Sequence, residues 1–131
     1  MVFYYLFRKG DKMKKKFIVK KTFEFNNIIN SKNKKNNKYY SLYYNENKLG
    51  YNRFGISVPK KIGKANIRNK YKRRIRSIID NNKNNYPISF DYIIIMKKEC
   101  LNQKFVDLEK NLNILIKNID RNDLNEKEQD L

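Results

Sequence analysis

The chain has 131 residues, the size of one domain, and a formal net charge of +18 at pH 7, which is typical of proteins that bind a polyanion. It has no histidine, which excludes a histidine general base, a Ser-His-Asp triad and a His-ligated zinc site. Its single cysteine, Cys100, excludes an intramolecular disulfide and fits the reducing cytoplasm, and no apolar run approaches the ~20 residues that span a bilayer.

The two ends of the chain differ from its middle in composition. Residues 1–12 open with a short apolar run, and Met13 begins a lysine-rich stretch that looks like a more natural chain start. We therefore interpret residues 1–12 as a disordered extension or a misassigned start, with Met1 and Met13 both open as the true start. Residues 13–119 form the predicted domain. Residues 120–131 carry five acids and two bases and are predicted to be a flexible acidic tail.

The first half of the domain predicts one helix and two strands. Thr22 is a candidate N-cap for a helix ending near residue 31, with Phe25, Ile28 and Ile29 on one face. The Lys- and Asn-rich residues 32–37 are predicted to be a polar loop. Residues 39–45 are aromatic and strand-like, and residues 53–58 alternate and end at a proline. These two strands are expected to pair with each other.

The second half predicts helix, strand, helix. Residues 66–79 carry an amphipathic stripe made of Ile67, Tyr71, Ile75, Ile78 and Ile79. Residues 81–85 read as another polar loop, residues 90–96 as a buried central strand, and residues 105–119 as a third amphipathic helix. Helices packed on a small sheet make an α/β two-layer sandwich.

The strongest functional signal is the basic character of residues 60–76, which hold nine cations and no acid. Arg68, Lys72 and Arg76 share one row of the predicted helix, and Asn69 and Arg73 lie on the neighbouring row. Four of the chain's seven arginines fall in this segment, although lysine is the commoner cation in the chain as a whole. Since guanidinium groups bind phosphate bidentately and stack on bases, the pattern predicts an RNA- or DNA-binding helix face.

Other residues add to this interpretation. Four tyrosines at positions 39, 40, 43 and 44 alternate across a strand, so one sheet face is expected to offer aromatic platforms of the kind that single-stranded RNA uses. Asp91 is interpreted as a structural hydrogen-bonding residue. Cys100 is interpreted as a small buried or loop residue, because no adjacent base supports it as a nucleophile. No catalytic residue and no metal ligand is predicted.

Residues 54–73 resemble the signature of the bacterial ribonuclease P protein family. They read Phe-Gly-Ile-Ser-Val-Pro-Lys-Lys-Ile-Gly-Lys-Ala-Asn-Ile-Arg-Asn-Lys-Tyr-Lys-Arg. The resemblance extends to residues 23–29 for the family's first helix, 40–43 for its first strand and 90–98 for a late strand that ends in two basic residues, so it spans about residues 14–119. Lys70, Tyr71 and Pro59 depart from the usual pattern, and Lys70 keeps the charge of an arginine without its fork.

The resemblance implies an α+β fold, a two-layer α/β sandwich of αβββαβα order with a left-handed βαβ crossover (ribosomal protein S5 domain 2-like). This order has one strand more than the residue patterns indicate. It also implies a protein subunit of ribonuclease P, which removes the 5′ leader from precursor tRNA. The implied partners are precursor tRNA and a catalytic RNA subunit that performs the hydrolysis and binds most of the magnesium. The free protein is expected to be a cytoplasmic monomer that does not bind membranes.

By matching position, the resemblance also implies two groups of site residues. Those that bind RNA are Lys60, Lys61, Lys64, Arg68, Asn69, Lys70, Lys72, Arg73 and Arg76. Those that line a cleft for the single-stranded leader are Phe25, Ile29, Tyr43, Ser57 and Lys61. The principal alternative is a ribosomal protein or general RNA chaperone of similar fold. A metal-dependent nuclease is disfavoured because the basic region lacks clustered carboxylates, and a membrane-binding protein because the basic helix lacks a wide apolar face with exposed aromatics.

Overall fold

A computed structural model describes residue 19, residues 22–30 and residues 33–119, with the side chains of residues 22–25 excepted. The predicted extension at residues 1–12 and the predicted acidic tail at residues 120–131 both lie outside the described residues. The described elements are α1 (Thr22–Asn30), β1 (Lys34–Asn36), β2 (Tyr40–Glu46), β3 (Arg53–Ser57), α2 (Ala65–Asn82), β4 (Phe90–Met96) and α3 (Phe105–Lys117). This is the αβββαβα order of the expected α+β sandwich.

The strand β1 corrects the prediction of a polar loop at residues 32–37. Its three residues are Lys34, Lys35 and Asn36, none of which has β propensity, so the pairing partner creates the strand. β1 pairs antiparallel with β2, and the turn between them is closed by Asn37. The side-chain Oδ1 of Asn37 accepts hydrogen bonds from the backbone N–H groups of Tyr39 at 2.9 Å and Tyr40 at 3.0 Å.

The sheet order β1-β2-β4-β3 corrects the expected pairing of the second and third strands. β4 lies between them, antiparallel to β2 and parallel to β3. A parallel pair needs a long crossover, and α2 provides it between β3 and β4. Since β4 has a neighbour on each side, the prediction of a buried central strand is confirmed over the range that the sequence indicated.

The larger part of the core lies between the sheet and the helices α2 and α3. We call this side of the sheet the α2/α3 face. Its strand residues alternate with the opposite face, because successive side chains on a strand point to opposite sides. The strands contribute Tyr40, Leu42, Tyr44, Phe54, Ile56, Phe90, Tyr92, Ile94 and Met96, and the helices contribute Tyr71, Ile75, Ile78, Ile79, Leu108, Leu112, Leu115 and Ile116.

A second, smaller cluster lies on the opposite side of the sheet, which we call the α1 face. Ile28 of α1 packs with Val19 and Ile93, and all three are buried. The half-buried side chains of Ile29 and Tyr43 pack against this cluster. The helix α1 therefore covers the sheet on the side away from α2 and α3.

Candidate nucleic-acid interface

The turn before α2 presents its lysines to solvent because one apolar residue anchors it. Lys60–Ile62 form a single 3₁₀ turn, in which the N–H of Ile62 donates to the carbonyl of Pro59 at 3.0 Å. Ile62 is buried in the core, whereas Lys60 and Lys61 are exposed. The burial of Ile62 thus directs both neighbouring cations outward.

The same turn is tied to α2 through Gly63. Gly63 has φ +154°, and a Cβ at this position would lie 3.3 Å from Cδ1 of Ile67, so a larger residue would be both strained and crowded. Nε of Arg68 donates to the Gly63 carbonyl at 3.2 Å. Ile67 is 37% exposed, so its predicted place in the buried stripe is wrong, because its side chain packs against the turn instead.

The cations of α2 are arranged along its solvent side, with one exception. Lys64, Asn69, Lys70 and Arg73 are exposed, and Nζ of Lys72 donates to Oδ1 of Asn69 at 3.1 Å. Arg76 is only 8% exposed, which differs from the expectation that its whole row faces solvent. Each step of four residues turns this row about 40° further from the stripe that holds Tyr71 and Ile75, so the burial of Arg76 comes from packing by other elements.

One clustered arginine that was not predicted to bind RNA has an intramolecular contact. The guanidinium of Arg74 lies over the ring of Tyr71 at 5.3 Å from the ring centroid. The hydroxyl of Tyr71 in turn accepts a hydrogen bond from the N–H of Asn102 at 2.9 Å. Tyr71, a departure from the family pattern, therefore joins α2 to the loop before α3.

The electrostatics of this region favour an anion. The first turn of α2 contains no acid, so its unsatisfied N–H groups add positive potential to that of the neighbouring lysines. Like charges one helical turn apart repel each other, and a bound phosphate relieves that repulsion. Eight of the nine predicted RNA-binding residues lie together in an accessible group on residues 60–73, whereas Arg76 is buried.

The α1 face holds three of the five predicted leader-binding residues, namely Ile29, Tyr43 and Ser57. Tyr43 and Ile29 are half-buried side by side with the Ile93 cluster. Nζ of Lys34, on the neighbouring strand, lies 5.2 Å from the centroid of the Tyr43 ring. Sequence reasoning missed Lys34, because it was assigned to a loop and no local pattern marks so short a strand.

The remaining leader-binding predictions occupy less uniform positions. Ser57 is fully buried, and within the described residues its Oγ has no hydrogen-bond partner. Ser57 is paired with Ile95, which places it on the α1 face at the end of β3. Lys61 is exposed at the turn that follows. Phe25 lies in α1, but its side chain is outside the described part of the chain.

Comparison with known proteins assigns the chain to one family. The family model for Ribonuclease P matches residues 13–120. The chain belongs to the ribonuclease P protein family. It is 47% identical to the ribonuclease P protein component of Mycoplasma mycoides over 108 residues, which cover 82% of this chain and 99% of that relative. It is 42% identical to the ribonuclease P protein component of Fusobacterium nucleatum, over 76% of this chain and 94% of the relative.

Solved structures agree with this assignment. The ribonuclease P protein from Thermotoga maritima superposes with a TM-score of 0.71 at 33% identity, covering 74% of this chain and 92% of that one. The chain is therefore a subunit of ribonuclease P, an enzyme of tRNA processing, and membership of this family implies partnership with the ribonuclease P RNA subunit. The match decides against the alternatives of a ribosomal protein and an RNA chaperone.

Two isolated polar residues of this ribonuclease P subunit have the structural roles that the sequence indicated. Asp91 accepts from Nε of Arg53 at 2.8 Å and from NH2 of Arg53 at 2.6 Å, and Nδ2 of Asn47 donates to it at 2.9 Å. The Cys100 thiol is buried beside Tyr40, and burial raises its pKa to about 12. A thiol with that pKa is not a nucleophile at neutral pH.

The described residues contain neither a cluster of metal ligands nor a membrane-spanning helix. In residues 19, 22–30 and 33–119, no three His, Cys, Asp or Glu side chains gather as a metal site would require. The implied magnesium therefore does not fit a cluster of this protein's described side chains. In the same ranges, no helix has the length and apolar character to cross a membrane.

Proposed function

We propose that this subunit binds the single-stranded 5′ leader of precursor tRNA on the α1 face and the catalytic RNA along residues 60–73. In this proposal the RNA subunit carries out magnesium-dependent hydrolysis of the phosphodiester bond in the cytoplasm. The protein contributes affinity and positioning for the substrate. The observation that carries the proposal is the continuity of the two surfaces, since Ser57 on the α1 face and Lys60 in the basic turn are separated only by Val58 and Pro59.

The α1 face has the chemistry that an unstacked RNA strand requires. A half-buried ring at Tyr43 offers a stacking surface, and Lys34 places a cation 5.2 Å from the centre of that ring. Aromatic platforms beside cations bind single-stranded RNA with little sequence preference. This arrangement supports contacts to successive leader nucleotides, with Ile29 as an apolar neighbour of the bases.

The basic segment has the chemistry that a folded RNA requires. The hydrogen bond from Arg68 to the Gly63 carbonyl joins the lysine-bearing turn to the rigid helix, so the cations keep fixed spacings. Fixed cations neutralise phosphates at defined positions and thereby orient the protein on its partner. This supports docking on the structured catalytic RNA in preference to diffuse attraction.

The residues of this chain also support a division of labour with the RNA. A protein that cleaves RNA by general acid–base or metal chemistry needs a titratable or ligating group at the scissile bond. The two accessible surfaces are lined by lysine, arginine and tyrosine, whose usual pKa values lie well above neutral pH, and by asparagine and isoleucine, which do not ionise. Their chemistry is suited to binding.

Reconstitution tests the proposal directly. We expect the purified, RNA-free protein to leave precursor tRNA intact. When the protein is combined with a bacterial ribonuclease P RNA at low magnesium, we expect 5′ maturation to be faster than with the RNA alone. Cleavage by protein that is rigorously free of RNA would contradict the assignment of catalysis to RNA. Absence of any stimulation, with the protein folded and bound, would contradict the positioning role.

A further inference from the structure

The structure contains a cavity of about 310 Å³ that belongs to neither of the two surfaces described above. Its walls come from three separate segments, namely the start of β3, the 3₁₀ turn Lys83–Asn85 after α2, and the loop that leads to β4. The volume lies at the lower end of the ~300–1,000 Å³ found for sites that hold small organic groups. A single nucleotide is a group of suitable size, whereas a duplex or a peptide helix is not.

The inner wall of the cavity is aromatic and rigid. Phe54 and Tyr86 line it, and Phe54 stacks on Tyr92 with ring centroids 5.3 Å apart. The hydroxyl of Tyr86 donates to Oδ1 of Asn113 at 2.7 Å, which holds the Tyr86 ring in place. A fixed apolar wall of this kind binds a flat ring with little loss of side-chain entropy.

The polar lining consists of neutral amides and one cation. Oδ1 of Asn52 accepts from the N–H of Phe90 at 2.9 Å, so the amide is held with its donor group available on Nδ2. Asn84 adds a second, exposed amide. Nζ of Lys83 lies 3.8 Å from Oδ1 of Asp80, a long surface pair that a phosphate oxygen can replace. Amides read base edges and a lysine binds phosphate, and the described lining has no carboxylate.

The rim of the cavity exposes an apolar side chain in a held conformation. Ile88 is 61% exposed although the cavity wall beside it is apolar. The next residue, Ser89, has φ +66°, a left-handed conformation that is uncommon for serine, and its carbonyl accepts from the N–H of Asn47 at 2.7 Å. Conformations of this kind are concentrated at ligand-binding positions.

We propose that this cavity binds one unstacked nucleotide of the ribonuclease P RNA subunit. The base lies against Tyr51 and the aromatic wall, the amides of Asn52 and Asn84 contact its polar edge, and Lys83 contacts its phosphate. This inference rests on the proposed function in one respect, namely that the chain binds the RNA subunit. The cavity adds a third contact with RNA. It binds a base, whereas the basic segment binds phosphates.

The position of the cavity identifies the RNA subunit as the source of the nucleotide. Phe54 and Tyr86 belong to the α2/α3 face, whereas Tyr43 and Ile29 lie on the opposite face of the sheet. The cavity also adjoins the C-terminal end of α2, and an 18-residue helix is about 27 Å long, so the basic turn lies at the far end of that helix. A leader strand on the α1 face does not reach it, whereas a large folded RNA docked along α2 does.

Site-directed crosslinking tests the location. Cys100 is buried with a raised pKa, so Ile88→Cys introduces the reactive thiol on the described surface, and a thiol-reactive aryl azide can be attached there. Val106→Cys is the matched control, because Val106 is 63% exposed on α3. In the complex with RNA subunit and precursor tRNA, we expect the azide at position 88 to crosslink to one short stretch of the RNA subunit. Crosslinks to the precursor tRNA, to another protein chain, or no more than those of the control would overturn the proposal.

Substitution of Tyr51 tests the chemistry. We expect Tyr51→Ala to weaken affinity for the RNA subunit roughly 5- to 150-fold, the fold-change that corresponds to one lost base–aromatic stack, and Tyr51→Phe to stay within about twofold of the unchanged protein. A thermal melt verifies that both variants are folded. Unchanged affinity in folded Tyr51→Ala overturns the nucleotide site and leaves the proposed function intact. Failure of the unchanged protein to bind the RNA subunit would instead overturn the proposed function, and the cavity proposal with it.

Discussion

The two faces of the four-stranded sheet are built from the same strands but differ in how completely they are covered. On the α2/α3 face, Tyr44 and Tyr92 are fully enclosed by aromatic and aliphatic neighbours. On the α1 face, Tyr43 and Ile95 are half-buried, and a buried hydroxyl of Ser57 has no partner among the described residues. One face therefore provides stability, while the other retains surface that a ligand can use.

This difference arises from adjacent residues, because alternate residues of a strand belong to opposite faces. Tyr43 and Tyr44 are neighbours in sequence, yet their contacts differ. The Tyr43 ring lies beneath Nζ of Lys34, whereas the Tyr44 ring packs edge-to-face on Phe90 with centroids 6.3 Å apart. Substitutions at neighbouring positions are thus expected to separate folding from binding.

Removal of Tyr44 should have the largest effect, and on stability. We expect Tyr44→Ala to lower the free energy of unfolding by about 3–5 kcal/mol, because it leaves a cavity among fully buried neighbours. Urea denaturation followed by circular dichroism measures this. Tyr43→Ala is the control on the opposite face and should cost less than half as much. Equal losses of unfolding free energy would show that the α1 face contributes as much to stability as the α2/α3 face.

Arg68→Ala is expected to weaken binding of the RNA subunit by about 1.5–3 kcal/mol, the value of a hydrogen bond to a charged group. Affinity measured by filter binding checks this, together with a melt, since the contact with the Gly63 carbonyl is also lost. Lys110→Ala, an exposed cation on α3, is the control for net charge. If both substitutions cost the same, the basic segment acts only as diffuse charge.

Tyr43→Ala should reduce affinity for precursor tRNA by about 1–3 kcal/mol and leave affinity for mature tRNA nearly unchanged, because one base stack on the leader is lost. Binding of both RNAs to the reconstituted enzyme measures the difference. Tyr43→Phe keeps the ring and should behave like the unchanged protein. Equal losses of affinity for precursor and mature tRNA would show that the leader does not bind on the α1 face.

The smallest expected effect concerns a single exposed arginine. Arg73→Ala should change affinity for the RNA subunit by less than about 1 kcal/mol at moderate salt. The negative slope of log affinity against log salt should become less steep by about one unit, because one phosphate contact is lost. Titrations over a salt series measure that slope. Arg74→Ala is the neighbouring control and should change the slope less, because the Arg74 guanidinium lies over the Tyr71 ring. Identical slopes for the two variants would show that this contact does not withdraw Arg74 from the RNA.

Much of the fold could be predicted because apolar periodicity reports burial. Phe90–Met96 was located residue for residue, and the three helices were located to within a few residues at each end. The strand Lys34–Asn36 was missed because its stability comes from β2 and from a hydrogen bond of Lys35 Nζ to the Asn118 carbonyl at 2.8 Å, contacts that local sequence does not encode. The prediction that β2 pairs with β3 was wrong for a similar reason. The strand β4 comes later in the chain, and nothing in the residues of β2 or β3 indicates that it lies between them.

The candidate sites show the same limit. The basic segment could be predicted because its residues are contiguous, whereas the depths of Ile67 and Arg76 were misjudged, since solvent exposure depends on packing by other elements. The leader-binding residues came from family resemblance and their roles remain a prediction. The cavity beside Ile88 could not be found in advance, because its walls come from three distant segments that each read as a strand end or a polar loop.

The insertion of β4 between β2 and β3 has a consequence during synthesis. Neither β2 nor β3 can complete its pairing until residues 58–96 have been made, which takes about 2–8 s at ~5–20 residues per second. For that interval the nascent chain exposes unpaired strand edges, a state prone to association with other chains. Every cation of residues 60–76 is made before β4 is complete, so we expect mutual repulsion between nascent copies to oppose that association while the sheet is unfinished.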